Sequence, residues 1–134
     1  MAGRIEFFVP MAKVPTTTHQ QKAVTVVNGK PKFYEPAELE AARAKLEANL
    51  AKHVPETKFT EAVQLVVKWC FPIVGKHHDG EYKATKPDTD NLQKLLKDVM
   101  TTLGFWTDDA LVASEVSEKF WSVIPGIYIS VTQL

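Results

Sequence analysis

Apolar positions recur along this chain with two different periods, and the period assigns each stretch to a strand or a helix. Ile5-Glu6-Phe7-Phe8-Val9 reads as a first strand, stopped by Pro10. Residues 10–22, rich in Pro, Thr and Gln, read as an irregular loop. Ala23 to Val27 is a strand by its β-branched content. Asn28-Gly29 is a strong hairpin signal, and Lys32-Phe33-Tyr34 is the predicted return strand. Pro36 suits a first helical turn, and Ala37 to Lys52 is predicted helical with Leu39, Ala42, Leu46 and Leu50 along one face. Thr60 to Phe71 alternates and is β-branched, which predicts a long, largely buried strand. Residues 75–87 form a polar, basic-leaning loop. Leu92, Leu95, Leu96, Val99, Met100 and Leu103 fall at helical spacing, so a second helix is predicted from about Asp90 to Leu103, stopped by Gly104. Leu111 to Val116 and Trp121 to Val123 read as two strand segments. Pro125-Gly126 reads as a turn, and Ile127 to Val131 alternates as a last strand.

Two helices among five or six strands in mixed order predict an α/β (α+β) fold, with a single mixed sheet of about four to six strands packed by two main helices. No repeat or linker interrupts the pattern, so residues 1–134 are expected to form one domain. Composition adds little: 45% of residues are hydrophobic and 24% charged, as in an ordinary globular protein. The formal net charge of zero matters more, because any surface for a polyanion must then come from local clustering or from two copies pooling their patches. The single cysteine, Cys70, cannot form an internal disulfide and reads as a small core residue; it suits a reducing, cytoplasmic compartment. No stretch approaches the ~20 apolar residues of a membrane span. Arg4 and Glu6 interrupt the first apolar run, unlike a signal peptide.

Candidate chemistry gathers at the two ends of the second helix. Lys86-Pro87-Asp88-Thr89-Asp90-Asn91-Leu92-Gln93-Lys94 leads into it, and Gly104-Phe105-Trp106-Thr107-Asp108-Asp109-Ala110 follows it. Crowded carboxylates repel unless a cation sits among them, and a hard divalent cation such as Mg²⁺ prefers oxygen ligands. A lysine at the same place suits an anionic substrate, with phosphate the obvious candidate. Ordinary explanations compete: Asp before a helix is a common cap, and Asp90 with Lys94 is a normal surface pair at four-residue spacing. Asp-x-Asp nevertheless uses two acids where one cap would do, and Asp108-Asp109 repeats the theme past the helix. Because a helix of about fourteen residues is ~21 Å long, the two groups converge only if the chain doubles back after Gly104 and a strand from Ala110 runs beside the helix toward its start. Consecutive extended residues point to opposite sides, so only one of Asp108 and Asp109 can face the Asp88–Asp90 cluster.

The order basic-Pro-Asp-x-Asp-Asn-Leu-x-Lys, a helix with an internal Asp, then Gly-Phe-Trp-x-Asp-Asp-Ala-x-Val resembles the RusA family of Holliday-junction resolvases. The match is close from Lys86 to Val112 and holds in outline elsewhere. The resemblance implies a homodimeric, Mg²⁺-dependent endonuclease (Mn²⁺ can substitute) that cuts four-way, branched DNA junctions by paired nicks in recombination and repair. By position it implies that Asp88, Asp90 and Asp109 are the essential metal-holding acids, with Lys94 as the functional lysine. Asp108 matches the neighbouring acid, a further possible metal ligand, and Asn91 matches a supporting position. Lys76, Lys83, Lys86 and Lys97 are candidates for neighbouring DNA phosphates. One departure is the stretch from Met11 to Lys22, which has no arginine where family members often carry an arginine-rich segment. That, with the neutral charge, bears on DNA affinity and junction selectivity but not on the metal site.

Smaller expectations concern single residues. His77-His78 reads as solvated rather than ligating, and Trp106 as packing under the Asp-Asp turn rather than stacking on a base. Trp69, Trp121 and Phe71 read as core or interface. Two other functions remain open on the residues alone: another metal-dependent phosphohydrolase or transferase using Asp-x-Asp, and a non-catalytic DNA-junction-binding module whose acids are caps.

Overall fold

The computed structural model describes residues 3–16, 23–34 and 37–134. Its strands are β1 (Arg4–Pro10), β2 (Ala23–Val27), β3 (Lys30–Tyr34), β4 (Val63–Pro72), β5 (Val112–Ser122) and β6 (Gly126–Gln133); its helices are α1 (Ala37–Leu50) and α2 (Thr89–Leu103). Four strands make one mixed sheet in the order β1-β6-β4-β5, with β6 antiparallel to both neighbours and β4 parallel to β5. The parallel pair needs a crossover, and α2 lies within it. β2 and β3 stand outside this sheet as a hairpin. It turns at Asn28-Gly29, whose φ values of 51° and 76° are what a tight hairpin turn demands.

The fold is thus α+β with a mixed four-stranded sheet, as the periodicities predict. Along β4 the alternation is strict: Val63, Leu65, Val67, Trp69 and Phe71 are all buried on one side. They join Leu39, Ala42, Leu46 and Leu50 of α1 and Leu92, Leu95, Leu96, Val99 and Met100 of α2 in one contiguous core. The other face of the sheet is polar and partly open. There the Lys68 ammonium lies 5.6 Å from the Tyr128 ring centre, and the Tyr128 hydroxyl donates to Glu6 at 2.6 Å. An antiparallel-rich sheet tolerates one wet face in this way.

Several boundaries differ from expectation. α1 stops at Leu50, and a 3-10 turn, Ala51–His53, replaces its predicted last residues. β4 starts at Val63, because Phe59 pairs instead with Trp106 across two backbone hydrogen bonds, Phe59 N–H to Phe105 O (2.9 Å) and Thr107 N–H to Phe59 O (3.2 Å). Cys70 lies on the outer side of β4 and is only partly buried, rather than in the core; that burial raises its thiol pKa. The two expected segments after Leu111 are one continuous strand, β5. Gly126 is already the first residue of β6. The predicted loop at 10–22 is described only to residue 16, where Met11 and Val14 are core residues. Pro36 lies outside the described residues.

Gly104 ends α2 as its position suggested. At φ 93° its amide reaches back to Met100 O and Thr101 O, and Phe105 N–H also bonds Met100 O at 3.0 Å. This tight stop reverses the chain and buries Phe105 and Trp106 beneath it.

Gly126 is the tightest glycine. A β-carbon there would stand 2.3 Å from the Val9 carbonyl oxygen and 2.5 Å from Phe8 Cζ, because β6 is hydrogen-bonded on both sides at this point. Gly126→Ala is expected to cost about 2–3 kcal/mol, the scale of a steric insertion that backbone must absorb. The check is equilibrium urea unfolding, with a lower midpoint and an unchanged slope.

Candidate active site

β5 is the edge strand beside β4, and its register decides what the site contains. Glu115 pairs with Leu65, Ser117 with Val67, Lys119 with Trp69 and Trp121 with Phe71, so all four face the side on which the helices pack. Only Trp121 of these is apolar. The polar trio would be misplaced in a core; here α2 and β5 enclose an open hollow of about 710 Å³ between them. Its wall is Thr89, Asp90, Asn91, Gln93, Lys94, Lys97 and Asp98 from α2, Glu115 and Ser117 from β5, and Asp109 from the 3-10 turn Asp109–Leu111. This explains why the stretch after Val116 did not read as strand: its inward positions carry the polar residues of a site.

One buried amide holds the hollow together. Gln93 is 3% exposed; its Oε1 accepts from Trp69 Nε1 at 2.9 Å and its Nε2 donates to Glu115 Oε2 at 2.7 Å. The other Glu115 oxygen takes Lys97 Nζ at 3.0 Å. α2 is thereby tied to β4 and β5 at its middle. A second tie lies at its start, where Lys119 Nζ donates to the carbonyls of Thr85 (2.6 Å) and Pro87 (2.7 Å). The strand therefore runs antiparallel to the helix, as the doubling back of the chain required. Because Glu115 meets the middle of α2 and Lys119 its start, Asp109 lies toward the helix's second half while Asp90 lies in its first turn. The two acids share the wall of the hollow. Sequence reasoning missed Gln93, Glu115, Ser117 and Lys119. For Ser117 and Lys119 the available signal was their alternation with Glu115 at inward positions of one strand, where a break between two strands was expected; Gln93, on the helix, carried no such signal.

The other predicted residues divide clearly. Asp88 is exposed at the N-cap of α2, yet its side chain makes no capping hydrogen bond, while its carbonyl accepts from Leu92 N–H at 3.2 Å. Asp90 and Lys94 are exposed on the wall of the hollow and are not an ion pair among the described residues. Asn91 lines the same wall. Asp109 faces the hollow, whereas Asp108 turns away and caps the 3-10 turn, accepting from Ala110 N–H at 2.9 Å.

Among the lysines, Lys97 is in the hollow and Lys76 and Lys86 are exposed outside it. Lys83 is engaged within the chain. It donates to Thr85 Oγ1 and to the Lys86 carbonyl (2.7 Å), 4.5 Å from the Trp121 ring centre; burial and then the nearby Lys119 lower its pKa. The segment carrying these residues is less open than its composition suggested: Gly80, Glu81 and Lys83 exchange backbone hydrogen bonds with Lys119 and Trp121 and cover the free edge of β5. His77 stacks on Trp121 with ring centres 4.4 Å apart and bonds Glu81, so it is not simply solvated, and neither it nor His78 lines the hollow. Trp106 is buried under the turn and donates to Thr101 Oγ1 at 2.7 Å.

Among the described residues no three His, Cys, Asp or Glu side chains form a ready-made metal cage. The donors that face the hollow are hard oxygens, which suits Mg²⁺: that ion commonly takes one or two carboxylates and completes its shell with waters and substrate phosphates. On the same side, Ser117 Oγ is buried without a hydrogen-bond partner among the described residues. No helix among the described residues is long and apolar enough to cross a membrane.

The hollow is thus an open trough that combines carboxylates with lysines beside the edge strand of the sheet, chemistry suited to a metal ion and a phosphate. Residues 12–132 match the family model described as Endodeoxyribonuclease RusA, and the chain belongs to that family of endodeoxyribonucleases. It is 32% identical over 133 residues to a protein of Lactococcus phage r1t named crossover junction endodeoxyribonuclease rusA, covering 98% of this chain and 99% of the relative. It is also 27% identical over 121 residues to the uncharacterized protein YqaN of Bacillus subtilis (strain 168), covering 82% of this chain and 84% of that one.

The Gln93 amide gives a stability test. Gln93→Leu leaves the Trp69 N–H buried without an acceptor and removes a donor from Glu115. A loss of about 1–3 kcal/mol is expected, the usual penalty for one orphaned buried group. Chemical denaturation followed by tryptophan fluorescence measures it.

Proposed function

We propose that this endodeoxyribonuclease resolves four-way DNA junctions by Mg²⁺-dependent phosphodiester hydrolysis, as a homodimer making paired nicks. The single observation that carries the reading is that Asp109, which lies beyond the far end of α2 in the chain, lines the same hollow as Asp90 and Lys94. The full-length similarity to a phage protein named for crossover junctions supports the substrate class. Asp88, Asp90 and Asp109 would hold the metal. When bound, Mg²⁺ supplies an activated water and neutralises charge on the reacting phosphate. Lys94 sits one turn after Asp90 and is placed to counter the negative charge that builds on the phosphate in the transition state. Asn91, between the acids and the lysine, supports their arrangement. Lys97, restrained by Glu115, keeps two of its three N–H donors for a phosphate in the hollow. Lys76, Lys86 and Lys83 complete the set of candidate phosphate contacts, with Lys83 acting first as a brace for the loop.

A dimer follows from the substrate. A four-way junction is two-fold symmetric, paired nicks require two active sites, and a neutral subunit gains by pooling two lysine-bearing surfaces. Light scattering should give twice the 15.0 kDa chain mass at working concentrations; a fully active monomer would refute this.

The central experiment is cleavage of a mobile four-way junction with and without Mg²⁺. Asp90→Asn and Asp109→Asn are each expected to abolish cutting while binding in EDTA is kept or improved, because a carboxylate near DNA repels it. Normal cutting by either variant would overturn the metal-site reading, and metal-independent binding without cutting by the wild type would make the chain a binding module. Asp108→Asn is expected to retain activity, with a loss no greater than the roughly 10–100-fold typical of supporting residues. Lys94→Ala should lower the single-turnover rate more than junction affinity, since its contribution belongs to the chemical step.

A further inference from the structure

The turn that leads to Asp88, the N-cap residue of α2 just outside the wall of the hollow, has little backbone support of its own. Among the described residues, residues 84–87 take part in no backbone–backbone hydrogen bond of the loops and turns. Their carbonyls are instead met by two ammonium groups. Lys119 Nζ takes Thr85 O at 2.6 Å and Pro87 O at 2.7 Å, and Lys83 Nζ takes Lys86 O at 2.7 Å. Three consecutive carbonyls ahead of Asp88 are thus held by cations.

We propose that Lys119 is a positioning residue for the nuclease reaction: by clamping the carbonyls of Thr85 and Pro87 it sets where Asp88 and the first turn of α2 stand beside the hollow. This rests on the reading of Asp88 and Asp90 as metal-holding acids. The geometry favours a brace over a DNA contact. Lys119 faces inward from β5 opposite Trp69, is partly buried, and has two of its three donors committed to carbonyls. Its own carbonyl accepts from Lys83 N–H at 2.9 Å, so both braces are anchored to the same point of the strand. A charge-assisted hydrogen bond is about twice as strong as a neutral one, which suits a segment that must stay rigid without a ladder. Lys119 and Glu115 lie on the same face of β5, four residues apart, one holding the start of α2 and the other its middle. Fixing both ends of that span fixes the offset between Asp90 on the helix and Asp109 at the head of the strand.

The test compares Lys119→Met, which keeps length and removes the donors, with Lys119→Gln, which keeps a neutral donor, and with Asp88→Asn. Amide hydrogen exchange on metal-free protein should rise about tenfold or more at Leu92, whose N–H donates to the Asp88 carbonyl at the start of α2, in Lys119→Met and less in Lys119→Gln, with the rest of α2 unchanged. Single-turnover cleavage of a four-way junction should slow by roughly 10–100-fold and need more Mg²⁺ for its half-maximum. Junction binding in EDTA should stay within about twofold of wild type, because the brace touches no phosphate.

Unchanged exchange together with an unchanged Mg²⁺ requirement would overturn the proposal. So would a loss of EDTA binding as large as the loss of rate, which would make Lys119 a phosphate contact. Should Lys119→Met not fold, Lys119→Gln decides: wild-type exchange and Mg²⁺ dependence would overturn the proposal, and intermediate values support it. Asp88→Asn separates the two ideas. If it is inactive while Lys119→Met cuts normally, only the brace fails; if Asp88→Asn cuts normally, the metal-site reading fails, and the exchange data still decide whether Lys119 orders the turn.

Discussion

The buried Gln93 amide is the joint on which the geometry of this site depends. It is a polar group inside an apolar interface, and such a group is tolerated only when its hydrogen bonds are made. Trp69 of β4 and Glu115 of β5 make them at 2.9 and 2.7 Å. Apolar packing of α2 on the sheet is not directional in itself, whereas two hydrogen bonds to two different strands add a directional constraint on its register. That register decides which face of α2 looks into the hollow. Asp90, Lys94 and Lys97 share that face because helical residues three and four apart are neighbours.

The edge position of β5 supplies the other half. A strand in the middle of the sheet could not carry Glu115, Ser117 and Lys119 on its inward side without burying charge at heavy cost. At the edge, with α2 beside it, the same positions line an open trough. Parallel pairing with β4 extends this logic, because it forces a crossover between the two strands, and the crossover contains both acidic motifs. The free side of β5 is then covered by the Gly80–Lys83 stretch, so the edge that builds the site is not left open to pairing with another chain.

Charge follows the same division. The chain is neutral as a whole, yet the hollow concentrates Asp90, Asp98, Asp109 and Glu115 against Lys94 and Lys97. A trough with excess carboxylate would draw a divalent cation before DNA, and a bound cation would reverse the local sign for a phosphate. Lysines that face outward, such as Lys76 and Lys86, are free of that competition.

Much of this was legible in the amino-acid order because it depends on local periods and short spacings. The 3.6-residue period of Leu92 to Leu103 marked α2 and its buried face, Gly104 marked its stop, Asn28-Gly29 marked the hairpin, and the alternation around Leu65 and Ile129 marked the two central strands. The motif from Lys86 to Val112 resembled one nuclease family, to which the chain belongs. Tertiary structure alone decided the rest, for reasons that pattern cannot carry. Whether Asp90 and Asp109 share a hollow depends on a chain reversal and a strand direction, which no period records. That Asp109 faces the site while Asp108 caps a turn depends on one residue of register. The roles of Gln93, Glu115 and Lys119 come from pairings 22 to 34 residues apart in the chain. In the sequence these three look like ordinary surface residues, because helix and strand periods report only which side of an element is apolar. Polar groups that meet across two elements become visible only once the elements are packed.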